Sequence, residues 1–277
     1  MVLDDVDIVL DLAALSNDPV GDLEPGKTFE INHKGRSRVS KLSKDHGVKQ
    51  YVLASSASIY GQQTTLANEN STVHPLTSYS KANNNAELDN LPFDDDSFTV
   101  TALRFSSIYG VSPRMRFDTA VNNMILDLFK SKKINVNGKE NKRPFIFIKD
   151  VVKSYLTIID APKEKIGGQI FNVGSHEQNV TMEELANTIV DSINEPCKIS
   201  INDTNDHRSY FASFKKIEDV LGFTTDYSIQ DGAIEIYNAL KNNQISDDIK
   251  TKTVEWYKYL LKNPESAKDL LINNTLL

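Results

Sequence analysis

The chain of 277 residues is 39% hydrophobic and 25% charged, an ordinary composition for a globular protein with one large core or two modest ones. Its net charge of −7, with no basic tract beyond the short run Lys130 to Lys133, argues against nucleic acid or an anionic membrane as partner. Cys197 is the single cysteine, which excludes an internal disulfide and a cysteine-built metal site, and no apolar run approaches the ~20 residues of a membrane span.

Five histidines (His33, His46, His74, His176 and His207) include no pair at ligand spacing, so no metal is expected. A soluble, cytoplasmic protein is the corresponding expectation.

Asp7 to Leu15 is apolar with little alternation, which predicts a strand buried on both faces. Pro25 to Asp45 predicts a helix that stops at His46-Gly47. A strand over Gln50 to Ala54, a helix over Tyr79 to Leu88 and a buried strand over Phe98 to Phe105 follow, although Asn83-Asn84-Asn85 is poor helix chemistry. This alternation predicts an α/β protein with a parallel sheet and crossover helices.

Beyond Gly110 the pattern mixes. Helices are predicted over Phe117 to Ser131 and Val151 to Ile159, and strands over Phe145 to Ile148 and Gln169 to Val173, the second ended by Gly174. Thr181 followed by Glu183-Glu184 has the N-cap and acidic first turn of a helix running to Ile193. Two more helices are predicted over Phe214 to Leu221 and Ile229 to Lys241. Ser246 to Leu277 carries a helical pattern around Trp256 and no nameable chemistry.

Chemistry concentrates after the second predicted strand. Ser55, Ser56 and Ser58 stand at its carboxyl end, where open α/β sheets bind ligands. A Ser-Ser pair alone is more often just a strand end. Downstream, Tyr79 opens a helix, with Glu87 two turns below on nearly the same face. A tyrosine serves as general base only if its phenol, normally near ~10, is brought toward neutrality, and a cation one turn along at position 83 would do that. That position is Asn83. Lys81, two residues from Tyr79 and about 200° around the helix, points away from it.

Taken in order, Leu12-Ala13-Ala14, Ser55 to Gly61, Tyr79 with Glu87, Leu103-Arg104-Phe105, Tyr109-Gly110, Arg143 to Asp150, Phe171 to Gly174 and Arg208-Ser209-Tyr210 resemble the extended short-chain dehydrogenase/reductases of the NAD-dependent epimerase/dehydratase family. The resemblance covers Asp7 to about Leu240. It implies a Rossmann-type parallel sheet, N-terminally incomplete, with a smaller mixed α/β substrate lobe. Residues 1–110 would form the cofactor domain, to which strand 169–174 returns, and residues 111–277 the substrate lobe and C-terminal helices.

The resemblance also implies roles. Ser56 would hydrogen-bond the sugar hydroxyl that is oxidised, and Tyr79 would take its proton, with Asn83 where the family carries a lysine. Ala13, Ala14, Asn32 and Tyr79 would line the cofactor, NAD, with NADP also compatible. Ser56, Ser58, Arg143 and Arg208 would hold a nucleotide-sugar substrate, the arginines by gripping its diphosphate. Ala57 and Ser58 carry no acid of the kind dehydratases use, so 4-epimerisation through a keto-sugar is the implied reaction. A homodimer through the Tyr79 helix is the implied assembly.

Two departures weigh against turnover. Without a cation at position 83, a phenol near ~10 is ionised about one part in a thousand at pH 7, which lowers activity by roughly two to three orders of magnitude. The glycines nowhere form G-x-x-G-x-x-G, the turn that receives a dinucleotide pyrophosphate at a helix N-terminus. A segment upstream of Met1, a second chain that completes the fold, or a binding or assembly role without catalysis are the expectations that follow.

Overall fold

The computed structural model describes residues 3–204 and 208–268. In chain order the first half contains β1 (Ile8–Asp11), α1 (Asp18–Gly21), α2 (Pro25–Phe29), a π-helical stretch (Glu30–Gly35), α3 (Arg36–Asp45), β2 (Gln50–Ser56), α4 (Ser78–Asn90), β3 (Thr99–Phe105) and β4 (Ser107–Tyr109). The second half contains α5 (Ala120–Ser131), β5 (Lys133–Asn137), β6 (Lys142–Phe147), α6 (Ile148–Asp160), α7 (Lys163–Ile166), β7 (Gln169–Val173), β8 (Asn179–Thr181), α8 (Met182–Ile193), β9 (Lys198–Asn202), α9 (Lys215–Leu221), α10 (Ile229–Lys241), α11 (Thr253–Lys262) and α12 (Pro264–Ala267).

The main sheet is parallel throughout, in the order β1-β2-β3-β7. Successive residues of a strand face opposite sides, and both sides of the two central strands find apolar cover. Val52, Leu103, Phe105, Phe171 and Val173 pack with Val151, Tyr155 and Ile158 of α6. Tyr51, Leu53, Val100 and Ala102 pack on the other side with Ala86 of α4. The chain is therefore an α/β protein with helices on both faces of a parallel sheet, as its alternating pattern predicts.

The first strand differs from expectation. Only Ile8–Asp11 pairs, with β2 alone, and Leu10 and Leu12 are exposed. The Asp11 carboxylate accepts the backbone N–H of Ala13 at 3.2 Å, which turns the chain out of the sheet before Leu15. The apolar run thus continues as a loop along the carboxyl edge.

The predicted long helix forms as α2, the π-helical stretch and α3, ended at His46 with Gly47 in the left-handed region (φ 80°). Its inward stripe is polar: Asn32, Arg36, Ser40 and Ser43 are buried while Val39 and Leu42 are exposed. That stripe meets a second polar one on α4, formed by Ser80, Asn83, Glu87 and Asn90.

A second core joins α5, α8 and α10 with β5 and β6 through residues such as Phe117, Ile125, Ile134, Phe145, Leu185 and Ile236. Two small sheets serve it, β4-β6-β8 and β5-β9. The capping box expected at Thr181 is present, Thr181 and Glu184 each bonding the other's backbone N–H. No helix among the described residues is long and apolar enough to cross a membrane.

Candidate functional site

The carboxyl ends of β1, β2 and β3 carry the site. β2 runs out at Ser55-Ser56 and passes into a short 3₁₀ turn, Ala57–Tyr60. Gly61 ends that turn at φ 66°, where a Cβ would lie 1.9 Å from the His74 carbonyl oxygen, so only glycine is accommodated. Ser55 turns back and donates to Glu87 at 2.5 Å. Ser56 stays half-buried at the edge and donates to the Ser58 hydroxyl at 2.9 Å.

Behind these serines lies a buried network. Arg104 grips Glu87 with Nε at 3.0 and 3.2 Å and Nη2 at 2.7 Å, and its Nη1 donates to the Tyr60 hydroxyl at 3.0 Å. The Tyr60 hydroxyl in turn donates to Asn172 at 2.8 Å. Glu87, Arg104, Tyr60 and Asn172 therefore tie α4, β3, β7 and the serine turn into one unit. They fix the edge without reaching the site themselves.

Tyr79 stands in the first turn of α4, which Thr77 and Ser80 close with a capping box. α1 lies directly against it: a Cβ on Gly21 would come within 2.8 Å of the Tyr79 Cβ. Asp18 of α1 accepts the Thr77 hydroxyl at 2.5 Å, and Asp22 accepts the Ser78 backbone N–H at 3.0 Å. Burial pushes the Tyr79 phenol above its ordinary range. The Arg36 guanidinium pulls it back, Asp18 raises it, and the Ser56 hydroxyl and Arg116 lower it.

Asn83 is spent inside this cluster. Its Nδ2 donates to the Tyr79 carbonyl at 3.0 Å and its Oδ1 accepts Arg36 Nη1 at 2.8 Å. Arg36 is 2% exposed and Asn83 1%. Arg36 Nη2 donates to the carbonyls of both Asp11 (3.2 Å) and Ala54 (2.7 Å), and Nε pairs with Asp11 Oδ1 at 3.5 Å. Sequence reasoning missed Arg36, because an arginine on a charged helix is ordinarily a solvated one.

Ala13 is exposed and Ala14 half-exposed on the loop after β1. Asn32 acts on them from beneath: it is fully buried, accepts the Leu15 N–H at 2.8 Å and donates to the Leu15 carbonyl at 3.0 Å, so both ends of its amide hold the loop. Arg116 also reaches this loop, bonding the Ser16 carbonyl at 2.6 Å and hydroxyl at 2.9 Å, and it pairs with Asp118.

Arg143 and Arg208 come together on the lobe side. Arg143 stacks over the Tyr210 ring at 5.3 Å, and its Nη1 donates to the Arg208 carbonyl. The Arg208 guanidinium pairs with Asp18, the residue that also holds Thr77. Arg208 and the Tyr79 cluster thus share one carboxylate, and Arg143 is linked to it through the Arg208 carbonyl. Burial pushes the Tyr210 phenol up to about 12, with both arginines pulling against it. Among the described residues no group of His, Cys, Asp and Glu could hold a metal ion, and His207 lies outside them.

Comparison with known proteins bears on the family and the fold. At 24% identity the chain matches the uncharacterized UDP-glucose epimerase YtcB of Bacillus subtilis over 83% of this chain and 73% of that protein. A UDP-glucuronate 4-epimerase of Thermodesulfobacterium geofontis matches at 25% identity over 86% of this chain and 73% of the enzyme. Among solved structures, MoeE5 in complex with UDP-glucuronic acid and NAD superposes with a TM-score of 0.78 at 23% identity, over 87% of this chain and 81% of that one. The UDP-glucuronic acid 4-epimerase of Bacillus cereus gives 0.77 at 20% identity, over 87% and 77%. At these identities the structural likeness speaks for the fold. The family profile speaks for membership: it matches residues 1–174, more than half of the sequence, and the chain belongs to the NAD dependent epimerase/dehydratase family.

Proposed function

We propose that the protein modifies a nucleotide-activated sugar, with Tyr79 as proton acceptor, Ser56 as the hydroxyl that orients the reacting sugar oxygen, and 4-epimerisation as the reaction. The observation that carries the reading is the convergence of Ser56, Tyr79 and a buried cation at the carboxyl edge, with Arg208 joined to the same cluster through Asp18 and Arg143 joined to Arg208. The named activities of two relatives, a UDP-glucose epimerase and a UDP-glucuronate 4-epimerase, support the substrate class.

The residues present fit the nicotinamide end of a dinucleotide. Ala13 and Ala14 leave an open, small-residue edge beside β2, and Asn32 keeps the loop in place without blocking it. NAD, which is bound in the neighbouring MoeE5 and Bacillus cereus structures, would supply a reversible hydride acceptor. Tyr79, as phenolate, takes the proton of the sugar hydroxyl while Ser56 holds that oxygen by a hydrogen bond. On return of the proton the phenol donates to the same oxygen. Arg143 and Arg208 hold the diphosphate by paired N–H contacts, residues 111–277 forming the substrate side and residues 1–110 the cofactor side. Exposed Val39, Leu42 and Leu88 on α3 and α4 suit a homodimer.

A binding role without turnover is the second reading, favoured by the uncharged Asn83 and by a Tyr79 phenol that burial holds high. One experiment separates the two. The full chain is incubated with NAD and a panel of nucleotide sugars, and C4 configuration is followed by proton NMR. Conversion that Tyr79→Phe abolishes supports the enzyme. Binding of a nucleotide sugar that Arg208→Ala weakens, with no conversion of any sugar, supports the second reading.

A further inference from the structure

Two buried arginines flank α4, and they are used differently. Arg104 is locked to the Glu87 carboxylate through Nε and Nη2, so its charge is cancelled at contact distance. Arg36 makes its hydrogen bonds to neutral acceptors: the Asn83 amide, the Asp11 carbonyl and the Ala54 carbonyl. The Asp11 carboxylate stands 3.5 Å from Nε, beyond a hydrogen bond, and its other oxygen accepts the Tyr51 hydroxyl. Asp11 thus balances the guanidinium from the Nε side, while its Nη1 end meets only the neutral Asn83 amide, at a position across the ends of β1 and β2.

Asn83 aims that end. Its two polar atoms form a relay from Arg36 Nη1 (2.8 Å) to the Tyr79 carbonyl (3.0 Å), which pins the guanidinium against the residue that carries the phenol. The helix geometry explains the reach: Asn32 and Arg36 lie four apart on one face, at the π-helical stretch and the start of α3, and both point at the carboxyl edge.

We propose that Arg36 is the cation of the Tyr79 site: held at the Asn83 amide, its guanidinium supplies from a neighbouring helix the positive charge that side chain 83 lacks. Arginine suits a dry location better than lysine, because it keeps its proton where a buried ammonium sheds one. Arg36 acts through the field at Tyr79 and is a positioning residue. The assignment deepens, and rests on, the reading of Tyr79 as proton acceptor. The other groups that face the phenol are Asp18 from α1, Ser56 from β2 and Arg116 from the loop before α5, and Arg36 exerts the largest downward pull of the set. From α6 the Tyr155 phenol, buried and without a hydrogen-bond partner, lies in the same field of Arg36.

A purely structural tie would need the hydrogen bonds of Arg36 but not its charge, and that difference is measurable. A fluorinated tyrosine that titrates near neutrality is incorporated at position 79 of the full chain, and its phenol is followed by fluorine NMR against pH. Arg36→Gln is expected to raise the phenol by about one pH unit or more, the effect of losing a nearby opposite charge. Arg36→Gln with Asn83→Lys is expected to bring the phenol back down. Should Arg36→Gln fail to fold, Asp11→Asn with Arg36→Gln removes both members of the pair, leaves no single buried charge, and is expected to raise the phenol by a smaller amount, because the opposing Asp11 charge goes with it.

A phenol unmoved by both Gln variants would overturn the proposal and leave Arg36 as a tie between strand ends. Because the readout needs no turnover, the outcomes separate. A titration that moves as expected in a protein that converts no nucleotide sugar sustains the role of Arg36 and defeats the enzymatic reading alone.

Discussion

Asn83→Lys restores the residue type that the family resemblance implies, and the surroundings of Asn83 turn its expected effect around. Sequence alone suggests that a lysine here raises turnover by giving Tyr79 a cation. In the structure the Asn83 amide oxygen is already 2.8 Å from Arg36 Nη1, and both side chains are buried. An ammonium there faces a guanidinium at about 4 Å, a repulsion of roughly 4 kcal/mol at an effective dielectric of ~20. Losing a hydrogen bond from a charged donor adds about 1.5–3 kcal/mol. Asp11, close to Arg36 Nε, offsets part of this. A net destabilisation of about 3–5 kcal/mol remains, a large share of a typical stability of roughly 5–15 kcal/mol. Urea unfolding of the unsubstituted protein, Asn83→Lys, Arg36→Gln and the double variant forms a double-mutant cycle. The double variant should recover most of what Asn83→Lys loses, with a coupling energy of several kcal/mol. Asn83→Lys as stable as the parent, or a cycle with no coupling, would refute the charge placement.

Three further outcomes follow from the geometry. Glu87→Gln leaves Arg104 buried and without its carboxylate, and should cost about 3–5 kcal/mol in urea unfolding, far more than an exposed ion pair such as Lys215–Asp219. Gly21→Ala drives a methyl to within 2.8 Å of the Tyr79 Cβ, so it should destabilise by about 1–3 kcal/mol and displace Tyr79, read as a fall in nucleotide-sugar conversion. Burial alone would raise the Asp118 carboxyl, but hydrogen bonds and charge from Arg116, with the Thr253 backbone N–H, hold it below the usual range. Its contribution is therefore fully present above the unfolded value of ~3.9 and is lost as pH falls through the lower folded value. The stability gap between the parent and Asp118→Asn should be constant near neutrality and close on acidification, and a gap that widens in acid would contradict the assignment.

Much of the architecture was legible because it rests on short-range pattern. Gln169–Val173 and Ile229–Lys241 form over the predicted residues, and the Thr181 box caps its helix. The first strand was overextended because a run such as Asp7 to Leu15 cannot say where a side-chain carboxylate will capture the next N–H, as Asp11 does for Ala13. Lys133–Asn137 and Lys198–Asn202 both alternate apolar and polar residues and pair with each other, a signal visible in the sequence but short and far apart along it. Ser56, Tyr79 and the two arginines could be singled out from motif order. Arg36 could not. On a helix with Val39 and Leu42, the apolar residues look like the core side and the arginine like the wet side. The packing is inverted because the facing helix offers Ser80, Asn83, Glu87 and Asn90 rather than an apolar stripe.

That inversion has a consequence for how the site tolerates change. A polar seam between α3 and α4 is held by specific partners, so each buried group needs its mate, whereas an apolar seam can repack. At its lower end Glu87 cancels Arg104 and the seam is electrically closed. At its upper end Asp11 pairs with Arg36 only at Nε, and the Nη1 end meets the neutral Asn83 amide beside Tyr79. Lysine at position 83 and arginine at position 36 are therefore alternatives: either can charge the Tyr79 site, and both together repel. Lysine at position 83 is disfavoured while arginine occupies position 36, so Asn83 suits the presence of Arg36 and is not in itself a sign of lost chemistry.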